Sequence, residues 1–186
     1  YDNVLIVTKN KAVVMKPMCE KVIPCPNSSW RYCEYQLNAI PFNWHYHPEY
    51  EICLTLNATG VCHIGDYLAP FSDLDLVILG PELPHTWQSN PNPDGSCQIV
   101  HVAQIPAQWL YQLVNGHPEF SQLLALLSSA KQGIKFSKDT AIKAKGLLEK
   151  IKLSDPLSRY LLLFELLQAM SLDADAHVLS TSIFIS

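Results

Sequence analysis

The chain has 186 residues, the size of one typical domain, and its 48% apolar and 16% charged content excludes a disordered polypeptide. Its formal charge of −4 provides no cationic surface for a phosphate backbone, so the chain alone is predicted to bind nucleic acid poorly. The sequence has neither an apolar run of roughly 18 residues, the length that spans a bilayer, nor a signal peptide. These absences predict a cytoplasmic protein without a membrane partner.

The first part of the chain has the alternation and turn residues that are typical of short strands. Asn57 to Gly60 is predicted to form a hairpin loop, and Gly80 with Pro81 is predicted to end an apolar strand. Many short strands at this spacing indicate a sandwich or a barrel. The predicted strands cover residues 30–37, 44–47, 50–56, 61–64, 76–79, 86–88 and 98–104.

From residue 106 the apolar period changes to about 3.6, which predicts helices. Four helices are expected: one over residues 106–115, one over 118–131, a third that begins after Ser137, and a fourth from Pro156 to about Leu172. Ser137 and Asp155 are suited to cap the third and fourth helices. The third helix is predicted to carry Ile142, Leu147, Leu148 and Ile151 along one side. The fourth is so apolar around its circumference that it must be buried or form an oligomer interface.

The densest group of ionisable residues lies between two predicted strands. His45 and His47 share one strand face. On a straight strand Glu51 would lie about 20 Å from His45, too far to share a metal. Pro48 is poorly suited to the middle of a sheet, so a bend at this residue can bring Glu51 back toward the two imidazoles. His85 can complete the group from a later turn.

Three imidazoles and one carboxylate suit a divalent transition metal, and the residue types fit zinc, iron, manganese, copper or nickel equally well. The predicted metal ligands are therefore His45, His47, Glu51 and His85. Two alternatives stay open. The pair His45 and His47 can be a hydrogen-bonded interior group, or it can contact a polar ligand without a metal.

These residues carry a family resemblance. The segment His-Tyr-His-Pro-Glu-Tyr-Glu-Ile at 45–52, the pair Gly65-Asp66 and the stretch 75–87 resemble the N-terminal cupin domain of AraC-family transcriptional regulators, over about residues 30–104. The resemblance implies an α+β, mainly β fold: a double-stranded β-helix, or jelly-roll barrel, followed by a helical subdomain of about four helices. It also implies an effector inside the barrel, dimerisation through the helices, and helix-turn-helix motifs that bind DNA beyond this chain.

Cupin enzymes share the four-ligand pattern, but the residues around it differ here. Where enzyme-type cupins place glycines near the first histidine pair, this chain has Ala39 and delays its glycine to Gly60. In the second motif, Gly80 and Glu82 occupy the positions of a proline and a glycine. These departures favour a regulator that is not an enzyme. The alternative is a metal-dependent cupin enzyme, such as a dioxygenase or an isomerase.

Two further residues complete the predicted effector site. Arg31 lies among Trp30, Tyr32 and Tyr35 and can grip a carboxylate or a pair of hydroxyls, although an exposed arginine is the simpler interpretation. Trp87 can cover the apolar face of a ligand or simply pack inside the barrel. The predicted ligand-binding residues are Arg31, His45, His47, Glu51, His85 and Trp87.

The sequence thus predicts a sensor for a small-molecule effector, such as a sugar or a small acid, that acts as a homodimer. Residues 1–105 are predicted to form the barrel, 106–175 the helical dimerisation subdomain, and 176–186 a linker toward a DNA-binding domain outside this chain.

Overall fold

The computed structural model describes the backbone of residues 4–8 and 11–182 and the side chains of residues 15–182. The strands in these ranges are β1 (Val4–Thr8), β2 (Lys11–Met15), β3 (Met18–Cys19), β4 (Arg31–Leu37), β5 (His45–Tyr46), β6 (Glu49–Leu56), β7 (Gly60–Ile64), β8 (Tyr67–Phe71), β9 (Asp75–Leu79), β10 (His85–Ser89), β11 (Gln98–Pro106), β12 (Ile134–Lys135) and β13 (His177–Val178). The α-helices are α1 (Ala107–Val114), α2 (Ser121–Ser129), α3 (Lys138–Leu153) and α4 (Pro156–Ser171). Two 3₁₀ helices are Pro118–Phe120 and Ala130–Gln132.

Two sheets dominate the described part of the chain. One contains five strands in the order β3-β5-β10-β7-β8, and the other contains six in the order β13-β12-β9-β6-β11-β4. Strands β1 and β2 form a separate antiparallel hairpin. From β5 onward the chain passes repeatedly from one sheet to the other, because β6, β9 and β11 belong to the second sheet while β7, β8 and β10 belong to the first.

The six-stranded sheet is covered on both faces. On β6, Ile52, Leu54 and Leu56 belong to the core that the sheet shares with the helices, whereas Cys53, between them, belongs to the core shared with the other sheet. The side chains of β9 are divided between the same two cores, and Leu76 belongs to the core shared with the helices. A strand buried on both faces is expected to be apolar at nearly every position, which explains the run Leu-Val-Ile-Leu at 76–79.

The helices pack close to the sheet at Gly80. The Gly80 N–H donates to the carbonyl of Ala130 over 2.6 Å, and a Cβ atom on Gly80 would lie only 2.7 Å from Lys131 Cα. A glycine therefore permits the close approach at the end of β9. This position agrees with the prediction that Gly80 ends the strand.

Both predicted helix caps are present. The Ser137 side chain accepts a hydrogen bond from the backbone of Thr140, and Asp155 accepts from the first turn of α4. The predicted face of α3 is wrong at one position. Ile142 is 56% exposed, because it lies outside the buried face of α3, which contains Thr140, Ala141, Ala144, Leu147, Leu148 and Ile151.

The prediction of a mainly β unit followed by four α-helices is confirmed for the described residues. Closure into a jelly-roll barrel is not seen, since the described strands form separate sheets. The predicted hairpin at 57–60 is wrong, because this loop connects β6 in one sheet to β7 in the other. Asn57 allows the crossing by adopting a positive φ of 53°.

The division into 1–105, 106–175 and 176–186 stays a prediction, but two strands cut across it. Strand β12 returns the chain from the helices to the six-stranded sheet, where it pairs with β9. Strand β13 lies within the predicted linker and pairs with β12. None of the described helices combines the length and the apolar character that crossing a membrane requires.

Candidate metal centre and effector cavity

The chain changes sheets at the predicted bend, which brings the four candidate ligands together. His45 lies on β5, Glu51 lies on β6, and His47 and Pro48 lie between these strands. His85 begins β10 and is paired with His45 across the five-stranded sheet. The His47 carbonyl accepts a hydrogen bond from the Glu82 backbone over 2.9 Å. The bend predicted from Pro48 is therefore confirmed.

The four side chains form a compact, mostly buried cluster. One potential ligand atom from each of His45, His47, Glu51 and His85 lies within 4.8 Å of all the others. His47 Nε2 is 2.9 Å from Glu51 Oε2, and His85 Nε2 is 3.6 Å from Glu51 Oε1. His47, Glu51 and His85 are each at most 4% exposed. Such a cluster can hold a divalent ion.

The hydrogen bonds of the imidazoles orient their other nitrogens toward one another. His45 Nδ1 contacts the carbonyl of Asn43 at 2.7 Å, and His85 Nδ1 contacts the carbonyl of Leu83 at 2.8 Å. A carbonyl can only accept, so both Nδ1 atoms must carry the proton. This leaves the Nε2 atoms to face the cluster, an arrangement that is common for metal-bound histidines.

His85 supplies the observation that tests the fit of a metal. Its Nε2 is buried and has no hydrogen-bond partner. Burial lowers the pKa of His85 to about 4, although Glu51 opposes this shift, so the ring is neutral at neutral pH. Its Nε2 lone pair therefore faces a carboxylate oxygen inside the protein. Two buried acceptors that face each other are unfavourable without a cation, and the donor set fits a divalent ion.

The other ionisable groups of the cluster are strongly coupled to one another. Burial alone would raise the pKa of Glu51, but the neighbouring His85 and His47 lower it to about 2. Burial would lower the pKa of His47, yet the hydrogen bond with Glu51 raises it above its ordinary value. The pKa of His45 is also raised, against burial, by Glu20 and by the Asn43 carbonyl. The cluster therefore favours a buried carboxylate with positive charge beside it.

A network of hydrogen-bonded polar side chains lies along one side of the cluster. Arg31 Nη1 donates to Gln104 Oε1 over 3.0 Å, and Gln104 Nε2 donates to Glu51 Oε2 over 3.0 Å. These three residues are neighbours across β4, β11 and β6. Arg31 Nη1 also lies 3.6 Å from Glu20 Oε1, and Glu20 Oε2 lies 3.2 Å from His45 Nε2. The arginine therefore fixes the orientation of Gln104 and balances the charge of Glu20.

The cluster borders a cavity of about 320 Å³ between the two sheets. Its polar wall contains Glu20, Asn43, His45, Glu51, Thr55, His85, Thr86 and Gln104. The remaining lining residues are aromatic, aliphatic or a cysteine, namely Tyr35, Leu37, Ile40, Pro41, Cys53, Trp87, Val100 and Val102. An apolar cavity with a few convergent polar groups is the usual form of a small-molecule site.

The predicted effector residues take different positions around this cavity. His45, Glu51, His85 and Trp87 line it. His47 lies beside the cavity and contacts Glu51, so it reaches a ligand only through the cluster. Arg31 is not among the lining residues, and its guanidinium donates to Gln104 and to the Tyr35 hydroxyl, the latter over 3.1 Å. Direct contact of Arg31 with an effector stays a prediction.

Trp87 connects the cavity to a buried ion pair. Its Nε1 donates to Asp75 Oδ2 over 3.0 Å, and Asp75 Oδ1 lies 2.6 Å from Lys135 Nζ. Asp75 is 1% exposed. Since Lys135 lies on β12, this contact links the cavity wall to the strand that follows α2.

Sequence reasoning missed Glu20 and Gln104. Gln104 could have been found from the alternation along β11, since it has the same parity as Val100 and Val102, which also line the cavity. Glu20 gave no such signal. It reaches His45 only because β3 pairs with β5 in parallel.

No family model and no curated protein matches the chain. Among solved structures, it is similar to a cupin 2 conserved barrel domain protein from Rhodopseudomonas palustris, with 17% identity, a TM-score of 0.37 and coverage of 46% of this chain and 58% of that chain. It is also similar to a cupin 2 conserved barrel domain protein from Salinispora arenicola, with 20% identity, a TM-score of 0.38 and coverage of 53% of this chain and 82% of that chain. A third similar structure is ToxT from Vibrio cholerae, with 10% identity, a TM-score of 0.47 and coverage of 77% of this chain and 58% of that chain.

The chain thus spans less than two thirds of the Rhodopseudomonas protein and of ToxT. All three TM-scores are below 0.5.

Proposed function

We propose that this chain is the effector-sensing and dimerisation domain of an AraC-type transcriptional regulator, located in the cytoplasm. The observation that carries the proposal is the cavity between the sheets, which has the four-residue cluster on its polar wall. The motifs at 45–52 and 75–87, which resemble the cupin of such regulators, supply the residues of this cluster. DNA binding would belong to a part of the protein beyond this chain.

The cavity suits a small effector such as a sugar or a small acid. Its volume of about 320 Å³ lies at the lower end of the range for small-molecule sites, about 300–1,000 Å³. Glu51, Gln104 and His85 offer polar contacts, and Trp87 with the valines of β11 offers an apolar surface. One end of the effector would therefore be polar and the other apolar.

The packing of β6 explains how binding can influence the helices. Glu51, Cys53 and Thr55 line the cavity, while Ile52 and Leu54 on the opposite face belong to the core shared with the helices. An effector that binds one arrangement of this sheet more tightly than another shifts the population of both units.

A divalent ion is part of this proposal, held by His45, His47, Glu51 and His85. Zinc, iron, manganese and nickel all accept imidazole and carboxylate ligands. When bound, such an ion supplies a positive charge that attracts a carboxylate or hydroxyl group. The residues around it keep separate tasks: Gln104 orients Glu51, and the Asn43 and Leu83 carbonyls orient two of the imidazoles.

The second candidate is a metal-dependent cupin enzyme, and the complete ligand set favours it. The same four residues would hold the ion, and the cavity would hold a substrate.

The two candidate functions predict different sequences for the rest of the protein that the parent gene encodes. The protein encoded by the complete parent gene should carry helix-turn-helix motifs after this domain and protect a specific DNA segment from nuclease. A complete protein without those motifs would favour the enzyme.

The metal site is tested with His47→Ala. We expect the chain purified without chelator to hold about one divalent ion, and His47→Ala to weaken its binding by more than about tenfold, since even residues that only support a ligand typically contribute that much. Elemental analysis and calorimetric titration measure both quantities. The control is His117→Ala, which removes an exposed imidazole and should leave binding unchanged. Retention of full affinity by His47→Ala would contradict the assigned ligands.

A further inference from the structure

Glu20 places a second carboxylate beside the cluster, with Oε2 3.2 Å from His45 Nε2. We propose that Glu20 is a fifth ligand and that it shifts the selectivity of the site toward Mn²⁺ and Fe²⁺ and away from Zn²⁺. This proposal rests on the proposed metal site, since it requires an ion held by the other four residues. It goes further by identifying a ligand that the sequence motif lacks.

The backbone holds Glu20 beside the cluster. Strand β3 runs parallel to β5, with Met18 opposite His45. The Glu20 N–H donates to the Tyr46 carbonyl over 2.9 Å. The Glu20 side chain is 31% exposed and lines the cavity. It can therefore adjust its position while its backbone stays in place.

The distances suit two ligands of one ion. Glu20 Oε2 lies 3.2 Å from His45 Nε2. Two donor atoms that are each about 2.1 Å from a shared ion, at right angles to one another, are about 3 Å apart. The contact between His47 Nε2 and Glu51 Oε2, at 2.9 Å, has the same length. Glu20 and His45 are thus spaced like the pair already assigned as ligands.

The second oxygen of Glu20 has a different partner. Glu20 Oε1 lies 3.6 Å from Arg31 Nη1, and Arg31 is itself held by Gln104 and Tyr35. The arginine thereby balances the negative charge that a second carboxylate adds. Oε2 is left to face His45, whose Nδ1 already donates to Asn43. A cation shared between Glu20 Oε2 and His45 Nε2 satisfies both acceptors.

An additional oxygen donor has a predictable effect on metal choice. Carboxylate ligands suit manganese, whereas a site of nitrogen donors with one carboxylate also suits zinc, which is usually four-coordinate. Without Glu20 the cluster offers three nitrogens and one carboxylate. With Glu20 it offers five protein ligands, which favours an ion of higher coordination number.

The test compares Glu20→Gln with the wild type by calorimetric titration of chelator-treated protein. We expect Glu20→Gln to weaken Mn²⁺ binding by about tenfold or more, by analogy with other residues near metal sites, and to weaken Zn²⁺ binding by a clearly smaller factor. Glu20→Asp should restore part of the Mn²⁺ affinity. In Co²⁺-loaded protein, Glu20→Gln should strengthen the visible absorption as the coordination number falls. Glu119→Gln, at an exposed position outside this cavity, is the matched control.

Two results would overturn the proposal. Unchanged or tighter Mn²⁺ binding in Glu20→Gln would show that Glu20 only holds His45 in the absence of an ion. An equal loss for Mn²⁺ and Zn²⁺ would show that Glu20 does not select between them. If the wild-type chain binds none of Mn²⁺, Zn²⁺ and Co²⁺, the metal site itself is rejected. Thermal unfolding of the metal-free variants establishes that each chain is folded.

Discussion

Asp75 is a buried carboxylate with a partner for each oxygen. Trp87 donates to one oxygen and Lys135 pairs with the other. Burial lowers the pKa of Lys135, but the hydrogen bond and the charge of Asp75 raise it above its ordinary value. A buried charge is tolerated only when it is paired in this way, and removal of one partner leaves the other uncompensated.

We therefore expect Lys135→Met to lower the free energy of unfolding by about 2 kcal/mol. This is less than the approximately 3–5 kcal/mol lost when a fully buried pair is broken, because the Lys135 side chain is 26% exposed. The double variant Asp75→Asn with Lys135→Met should recover part of the loss, since no buried charge remains. Urea unfolding measures the free energy of unfolding of the wild type, Lys135→Met and the double variant. The control is Lys131→Met, at an exposed position. A Lys135→Met variant as stable as the wild type would contradict the importance of the pair.

Local spacing was enough to find three residues of the metal cluster and too little to find Glu20. His45, His47 and Glu51 lie within seven residues, and one proline explains how the chain bends between them. Glu20, by contrast, depends on a parallel contact between two strands of two residues each. Strands of two residues are too short to show the apolar periodicity from which a strand is predicted. Residues positioned by distant pairing therefore required the structure.

Among the elements, the segment that follows β13 is held by Asp66, which lies in the turn between β7 and β8. Ser180 Oγ donates to Asp66 Oδ1 over 2.6 Å, and the Thr181 N–H donates to the same oxygen over 2.9 Å. Ser182 Oγ donates to Asp66 Oδ2 over 3.0 Å. The hydrogen bonds from Ser180 and Thr181 hold the pKa of Asp66 far below its usual range. The segment predicted as a linker is thus bound to the β unit up to residue 182.

This attachment should weaken in acid. The pKa of Asp66 is lower in the folded chain than its ordinary value of 3.8, so its contribution to stability is complete above that value and is lost as pH falls toward the folded pKa. We expect Asp66→Asn to have a lower urea midpoint than the wild type at pH 7, with a difference that shrinks below about pH 4. Asp175→Asn is the control for loss of one charge in the same region. A difference that stays constant down to pH 3 would contradict this role.

The strands that sequence reasoning missed are short or lie at sheet edges. Strand β8 contains Pro70 and has a single neighbour, β7, which is where a proline without an N–H can be accommodated. Strands β12 and β13 have two residues each and depend on pairing with β9 and with one another. The long strands β4, β6 and β11, which have seven, eight and nine residues, were all predicted.

At the scale of the whole molecule, the helices present an apolar surface that the described residues do not cover. Leu163, Leu166, Leu167 and Met170 of α4 are buried. Leu157 and Leu161 on the same helix are 69% and 62% exposed, and Leu153 at the end of α3 is 86% exposed. Burial of one face of the fourth helix is therefore confirmed, while the oligomer interface stays a prediction that its exposed leucines make testable. Exposed apolar residues that lie together are typical of interaction sites.

The homodimer proposed for this domain is best tested on that surface. If two copies associate through Leu153, Leu157 and Leu161, Leu161→Glu places a charge in an apolar interface, and we expect a monomer where the wild type is a dimer. Glutamate is a good helix former, so α4 itself should persist. Analytical ultracentrifugation measures the mass, and Leu68→Glu, at an exposed leucine on β8, should remain dimeric. If Leu161→Glu dimerises as well as the wild type, the interface lies elsewhere, and a wild type that stays monomeric would reject dimerisation by this domain.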